Sequence, residues 1–129
     1  MEVPLRAALL GWLASDPALS ATLNAVVEEA PTRTSLPWLA IASSASADWS
    51  CKTAPGREVR VALELHCRGD APDTAAMLVT AIEARVESLP RNQADFHIAT
   101  TQFLRARAEQ RGQNRRAILL EYRFRLLAA

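Results

Sequence analysis

The chain has 129 residues, half of them apolar and 22% charged, and a net charge of +1. That balance excludes a disordered polyelectrolyte and leaves no overall charge to select a partner. No apolar run reaches the roughly 18 residues of a membrane span, and Met1-Glu2-Val3-Pro4 does not open a secretory signal, so a single domain over residues 1–129 that stays in the cytoplasm is expected.

From Pro4 to Ala14, Leu5, Leu9, Trp12 and Leu13 recur at helical spacing and form one apolar stripe. Asp16-Pro17 is an N-cap followed by proline at the first helical position, and it opens a short second helix to about Leu23. Ala25-Val26-Val27 is a short strand. Pro37 to Ala42 is the next, with Pro37 at its start because proline brings no amide hydrogen to a ladder. Trp38 on this strand is expected in the core. Ser43 to Gly56 is small and polar and predicts a long loop.

Glu58 to Cys67 alternates strictly. Val59, Val61, Leu63, Leu65 and Cys67 point one way, and Arg60, Ala62, Glu64 and His66 point the other. Gly69-Asp70-Ala71-Pro72-Asp73 is turn and helix-start chemistry, with Asp70 and Asp73 expected to cap or compensate the helix dipole. The helix runs to about Ser88 on a stripe of Leu78, Ala81, Ile82, Arg85, Val86 and Leu89, and Pro90 follows it. Phe96 to Leu104 and Ile118 to Leu126 alternate as two more strands, joined as a hairpin through a polar tip at Glu109 to Asn114. Helices and strands do not interleave regularly. The expected fold is therefore α+β, with a mostly antiparallel sheet of about four to five strands and two main helices packed on one face.

Reactive chemistry is sparse. Four scattered glycines make no phosphate-binding loop. Cys51, His66, Cys67 and His97 are the only cysteines and histidines from which a zinc site could be assembled, and the neighbours His66 and Cys67 point to opposite faces of a strand, against a closed zinc site. No local signature activates Cys51 as a nucleophile. No catalytic residue, metal or cofactor is assigned, and both cysteines are expected as free thiols. Arginine is the exception. Seven stand between Arg105 and the C-terminus (Arg105, Arg107, Arg111, Arg115, Arg116, Arg123, Arg125) against Glu109 and Glu121, a local excess of five positive charges. Arg123, Arg125 and Glu121 alternate with Tyr122, Phe124 and Leu126. They are either the solvated face of a half-buried strand or an electrostatic surface for another subunit or for DNA. Trp49, in the polar loop, either pins that loop or anchors an interface.

Several segments match a known pattern in order. Asp48-Trp49-Ser50-Cys51-Lys52-Thr53, followed by Gly56-Arg57-Glu58 leading into a strand, resembles the central signature of the phage tail terminator, or tail-completion, family of long-tailed phages and gene transfer agents. Leu5, Leu9 and Leu13 before Asp16-Pro17-Ala18-Leu19 resemble its opening helix and Asp-Pro break. Pro37-Trp38-Leu39 resembles its Pro-aromatic-aliphatic strand, and Arg123-Phe124-Arg125 its closing strand. Asn24-Ala25-Val26-Val27 departs from the Gly-Arg-Val-aromatic segment of many relatives.

The resemblance implies a structural subunit that forms a homo-hexameric ring. The ring would cap the tail tube, end its elongation and offer a joining surface to a head-side neck or connector protein, with DNA passing through the lumen without sequence specificity. It would act in the bacterial cytoplasm during assembly and then in the tail-neck region of the particle. Asp48, Trp49, Lys52, Thr53, Arg57, Arg105, Arg107, Arg111, Arg123 and Arg125 are the candidate partner-binding residues. The alternatives are another neck connector, or a small cytosolic enzyme using Cys51 or His97.

Overall fold

The computed structural model describes residues 1–129. Helices α1 (Glu2–Ala14) and α2 (Pro17–Thr22) lead into strands β1 (Val26–Val27), β2 (Trp38–Asp48) and β3 (Gly56–Arg68). Helix α3 (Pro72–Glu87) follows, and strands β4 (Phe96–Arg111) and β5 (Arg115–Ala128) close the chain. The strands form one sheet in the order β1-β2-β3-β5-β4. All neighbours are antiparallel except the two-residue β1, which runs parallel to β2. The architecture is the expected α+β.

One face of the sheet carries the helices. Leu5, Leu9 and Leu13 of α1 and Leu78, Ile82 and Val86 of α3 meet Val59, Val61, Leu63 and Leu65 of β3 and Leu120, Tyr122, Phe124 and Leu126 of β5 in one core. Strict alternation along β3 and β5 presents every second side chain to this face. The helix pair is also tied by Arg85, whose place on the apolar stripe has a specific cause. Its guanidinium lies 3.5 Å from the centre of the Trp12 ring, and its Nε donates to the Trp12 carbonyl at 2.8 Å. Trp12 Nε1 donates back to the Arg85 carbonyl at 2.9 Å.

Asp16 caps α2 as expected, accepting from the Leu19 amide at 3.0 Å. Asp70 does not cap α3. The N-cap is Ala71, without a side-chain bond, and Asp73 sits in the first turn, where only the helix dipole is left for it to compensate.

Two expectations about loops are overturned. Ser43 to Gly56 is not one long loop, because β2 continues to Asp48 and pairs with β3 down to Arg57. A bulge between Ile41 and Ser43 shifts the phase, so Leu39 and Ile41 face the helices before it and Ser44 and Ser46 after it. The apolar alternation stops there, which hides the strand. The ladder persists because β3 supplies the backbone partners whatever the side chains are. The tip is also shorter than Glu109 to Asn114. Glu109, Gln110 and Arg111 belong to β4, and only residues 112–114 turn, with Gln113 at φ 63° and Asn114 at φ 55°.

Trp38 is buried, but outside the helix-side core. It pairs in register with His66 on the opposite face and stacks on that ring at 4.0 Å between centroids.

The uncovered sheet face as candidate interface

The second face of the sheet has no helix over it. By register it presents Trp38, Ala40, Ser43, Ala45 and Ala47 from β2 and Glu58, Arg60, Ala62, Glu64, His66 and Arg68 from β3. Strand β5 adds Arg115, Ala117, Leu119, Glu121, Arg123 and Arg125. Strand β4, after bulges beyond Ile98 and Phe103, adds Thr100, Gln102, Arg105, Arg107, Glu109 and Arg111. Eight arginines thus share the face with four glutamates. The acids are all engaged. Glu58 lies 3.1 Å from Arg125 and 3.7 Å from Arg123. Glu121 takes a two-pronged bond from Arg105 at 2.7 and 3.1 Å, which lowers its pKa and raises that of Arg105. Glu109 lies between Arg107 and Arg111 at 3.2 and 3.1 Å, and Glu64 bonds to His66. A shallow groove of about 250 Å³ crosses the strands, lined in part by Ser43, Ala45, Arg60, Ala62, Leu104 and Glu121.

The connection between β2 and β3 closes as a tight hairpin. Asp48 Oδ1 accepts from Ser50 Oγ at 2.6 Å, and Ser50 Oγ accepts from the Gly56 amide at 2.9 Å. Cys51 and Ala54 exchange backbone bonds at 2.9 and 3.4 Å around Lys52 and Thr53. Gly56 has to be glycine here. A Cβ would stand 2.3 Å from the Trp49 carbonyl oxygen and 2.8 Å from that of Leu126. This close approach holds Trp49 at the end of the arginine face, where the Arg125 guanidinium lies 5.5 Å from its ring.

The sequence-derived site residues therefore separate into groups. Trp49, Arg105, Arg107, Arg111, Arg123 and Arg125 come together on the uncovered face. Lys52 and Thr53 sit at the hairpin tip beside it. Asp48 and Arg57 are paired in register on the helix side, where Arg57 Nε is 3.7 Å from Glu2. Glu2 also accepts a bond from Ser46, and that bond above all lowers its pKa to about 2. Sequence reading missed Arg60 and Arg68, which β3 adds to the face, and the burial of His66. Their signal was the polar phase of that strand.

No enzyme-like constellation joins them. Cys51 Sγ contacts Thr53 Oγ1 at 3.4 Å, a bond that lowers its pKa, while His97 Nδ1 bonds Asn92 at 2.8 Å. Cys67 is buried on the core side, and burial raises its pKa. Both thiols are free, and no three of the His, Cys, Asp and Glu side chains are grouped to hold a metal.

Two comparisons bear on this arrangement. The family model described as Tail completion protein gp17 matches residues 7–127. Among solved structures, a chain of the virion of a native gene transfer agent particle superposes with a TM-score of 0.78 at 21% identity, over 97% of this chain and 96% of that one. At that identity the likeness speaks for the fold. No curated protein matches the sequence.

Proposed function

Because the chain belongs to the Tail completion protein gp17 family, we propose that it is a structural subunit of a phage-type tail and acts as its terminator. Six copies would form a ring that caps the tail tube, stops its growth and presents a joining surface to a head-side neck protein. DNA would later pass through the lumen without sequence readout. The subunit would assemble in the bacterial cytoplasm and remain in the tail-neck region, and the likeness to a chain of a gene transfer agent virion favours that setting.

The observation that carries this reading is the asymmetry of the sheet: one face is closed by helices and the other is an open arginine surface continuous with Trp49. Tube subunits add head to tail, a heterologous contact that continues until a different surface blocks it. A terminator needs two dissimilar docking ends, and the two turns that close the sheet would supply them. The Cys51–Ala54 tip and the turn at residues 112–114 lie at opposite ends of the sheet, separated by the thirteen residues of β3. At the rise of an extended strand that is about 40 Å. Trp49, Lys52 and Thr53 would serve one end and the turn at residues 112–114 the other. Arg105, Arg107, Arg111, Arg123 and Arg125 would face the lumen or a neighbouring subunit. Asp48 and Arg57 would act through the hairpin that they help to shape.

Deleting the gene should leave tails of uncontrolled length, or tails that fail to join heads, while heads still fill with DNA. Negative-stain images of purified protein mixed with tube protein should show six-fold rings at tube ends. Tails of normal length on full heads in the deletion strain would remove the terminator reading and favour a head-side connector.

A further inference from the structure

The turn end of the uncovered face holds a charge arrangement that folding alone does not explain. Arg115 on β5 stands directly opposite Arg111 on β4 on one side and Arg68 on β3 on the other. Three guanidinium side chains thus share one row across three adjacent strands, and like charges placed opposite one another on a sheet are destabilising. Only Arg111 has carboxylates, Glu109 at 3.1 Å and Glu64 at 3.9 Å. Arg115 and Arg68 have none, and the Arg115 Nε–H is buried without an acceptor. Beside the row lies a polar cleft of about 130 Å³, lined by Gly69, Gln110, Arg111, Asn114 and Arg115 and by no hydrophobic residue.

The cleft is closed by contacts between the turn and the end of β3. The Gly69 amide donates to the Asn114 carbonyl at 2.7 Å, and Arg116 Nη2 donates to the Gly69 carbonyl at 3.4 Å. A Cβ on residue 69 would stand 2.7 Å from Asn114 Oδ1, so glycine lets the turn lie against the end of β3. That contact fixes Arg111 and Arg115 relative to Arg68.

We propose that Arg68, Arg115 and Arg111 form a phosphate-binding row at the turn end of the uncovered face. A phosphate is the fitting ligand because its several oxygens accept from more than one guanidinium at once, and its negative charge offsets the repulsion within the row. The site lies within one subunit and does not require a ring. Only its assignment to the phosphodiester backbone of DNA rests on the tail reading.

The test uses the full chain with inorganic phosphate and, separately, a short DNA duplex. At matched ionic strength, phosphate should raise the melting temperature more than chloride does and should shift the ring resonances of His66, which already feels the field of Arg115 and Arg111. Arg115→Gln and Arg111→Gln should each weaken phosphate binding about tenfold, the loss expected for a bond to a charged group. Without phosphate, Arg115→Gln should melt no lower than the parent, because it removes a like-charge contact. For the duplex, each substitution should reduce the slope of log affinity against log salt by about one. Phosphate no better than chloride, or binding unchanged in both variants, overturns the site. An acidic peptide that binds through Arg115 where phosphate does not would overturn it in favour of a protein partner. Phosphate binding without any duplex binding removes the DNA assignment and leaves a site for free phosphate groups.

Discussion

Leu63 and its neighbours Ala62 and Glu64 sit on one strand, yet they belong to two different surfaces. Leu63 is fully buried beneath the helices, while Glu64 faces the open side among arginines. The same alternation on β5 sends Tyr122, Phe124 and Leu126 inward and Glu121, Arg123 and Arg125 outward. The covered face is held by apolar area removed from water, a term that grows with the area packed. The open face is held by exposed or half-exposed ion pairs, each worth little in water. One face is therefore suited to carry stability, and the other is free to carry contacts. The uncovered side does have a small buried patch of its own where Trp38 lies on His66.

The largest way to break this division is Leu63→Ala. At a site with no solvent exposure, urea unfolding should show a loss of about 2–5 kcal/mol. A change below about 0.5 kcal/mol, the scale of surface substitutions, would place Leu63 outside the core. Gly56→Val should cost about 1–3 kcal/mol by forcing Trp49 and Leu126 apart, and it should also release Trp49 from Arg125, visible as a red-shifted tryptophan emission.

A smaller effect tests the patch on the open face. Burial lowers the pKa of His66 from its usual 6.5, with the Glu64 bond opposing part of that shift. Well above pH 6.5 the ring is neutral folded or unfolded, so it gives no pH dependence there. Below it the unfolded chain binds the proton more readily, and stability falls until the folded pKa is passed. Between pH 7.5 and 5.5 the parent should therefore lose more stability than His66→Gln, as read by paired denaturant titrations.

The smallest folding effect should come from the arginines. Arg123→Gln and Arg125→Gln should each change stability by no more than about 0.5 kcal/mol. Ring formation, or retention on a polyanion column, should fall clearly. Equal losses in folding and in assembly would erase the distinction between the faces.

Much of the molecule was legible along the chain. The stripe Leu5, Leu9, Leu13, the Asp16 cap, the alternation of β3 and β5 and the hairpin of β4 with β5 all follow from local periodicity, and local periodicity is a property of sequence alone. The ordered motifs from Asp16-Pro17 through Asp48-Trp49 to Arg123-Phe124-Arg125 likewise led to the tail completion family, whose match spans residues 7–127.

Other features required partners far along the chain. Ser43 to Asp48 has no strand pattern of its own, and only the ladder offered by β3 makes it one. That Trp49 joins Arg125, that Arg68 stands in a row with Arg115 and Arg111, and that Asp48 and Arg57 leave the arginine face are consequences of strand order, register and bulges. The amino-acid order determined which side chains alternate. Which alternating sets share a face was decided by tertiary pairing, because the bulges at Ile41/Ser43, Ile98/Thr100 and Phe103/Arg105 each reset the phase, and nothing local in those residues announces the reset.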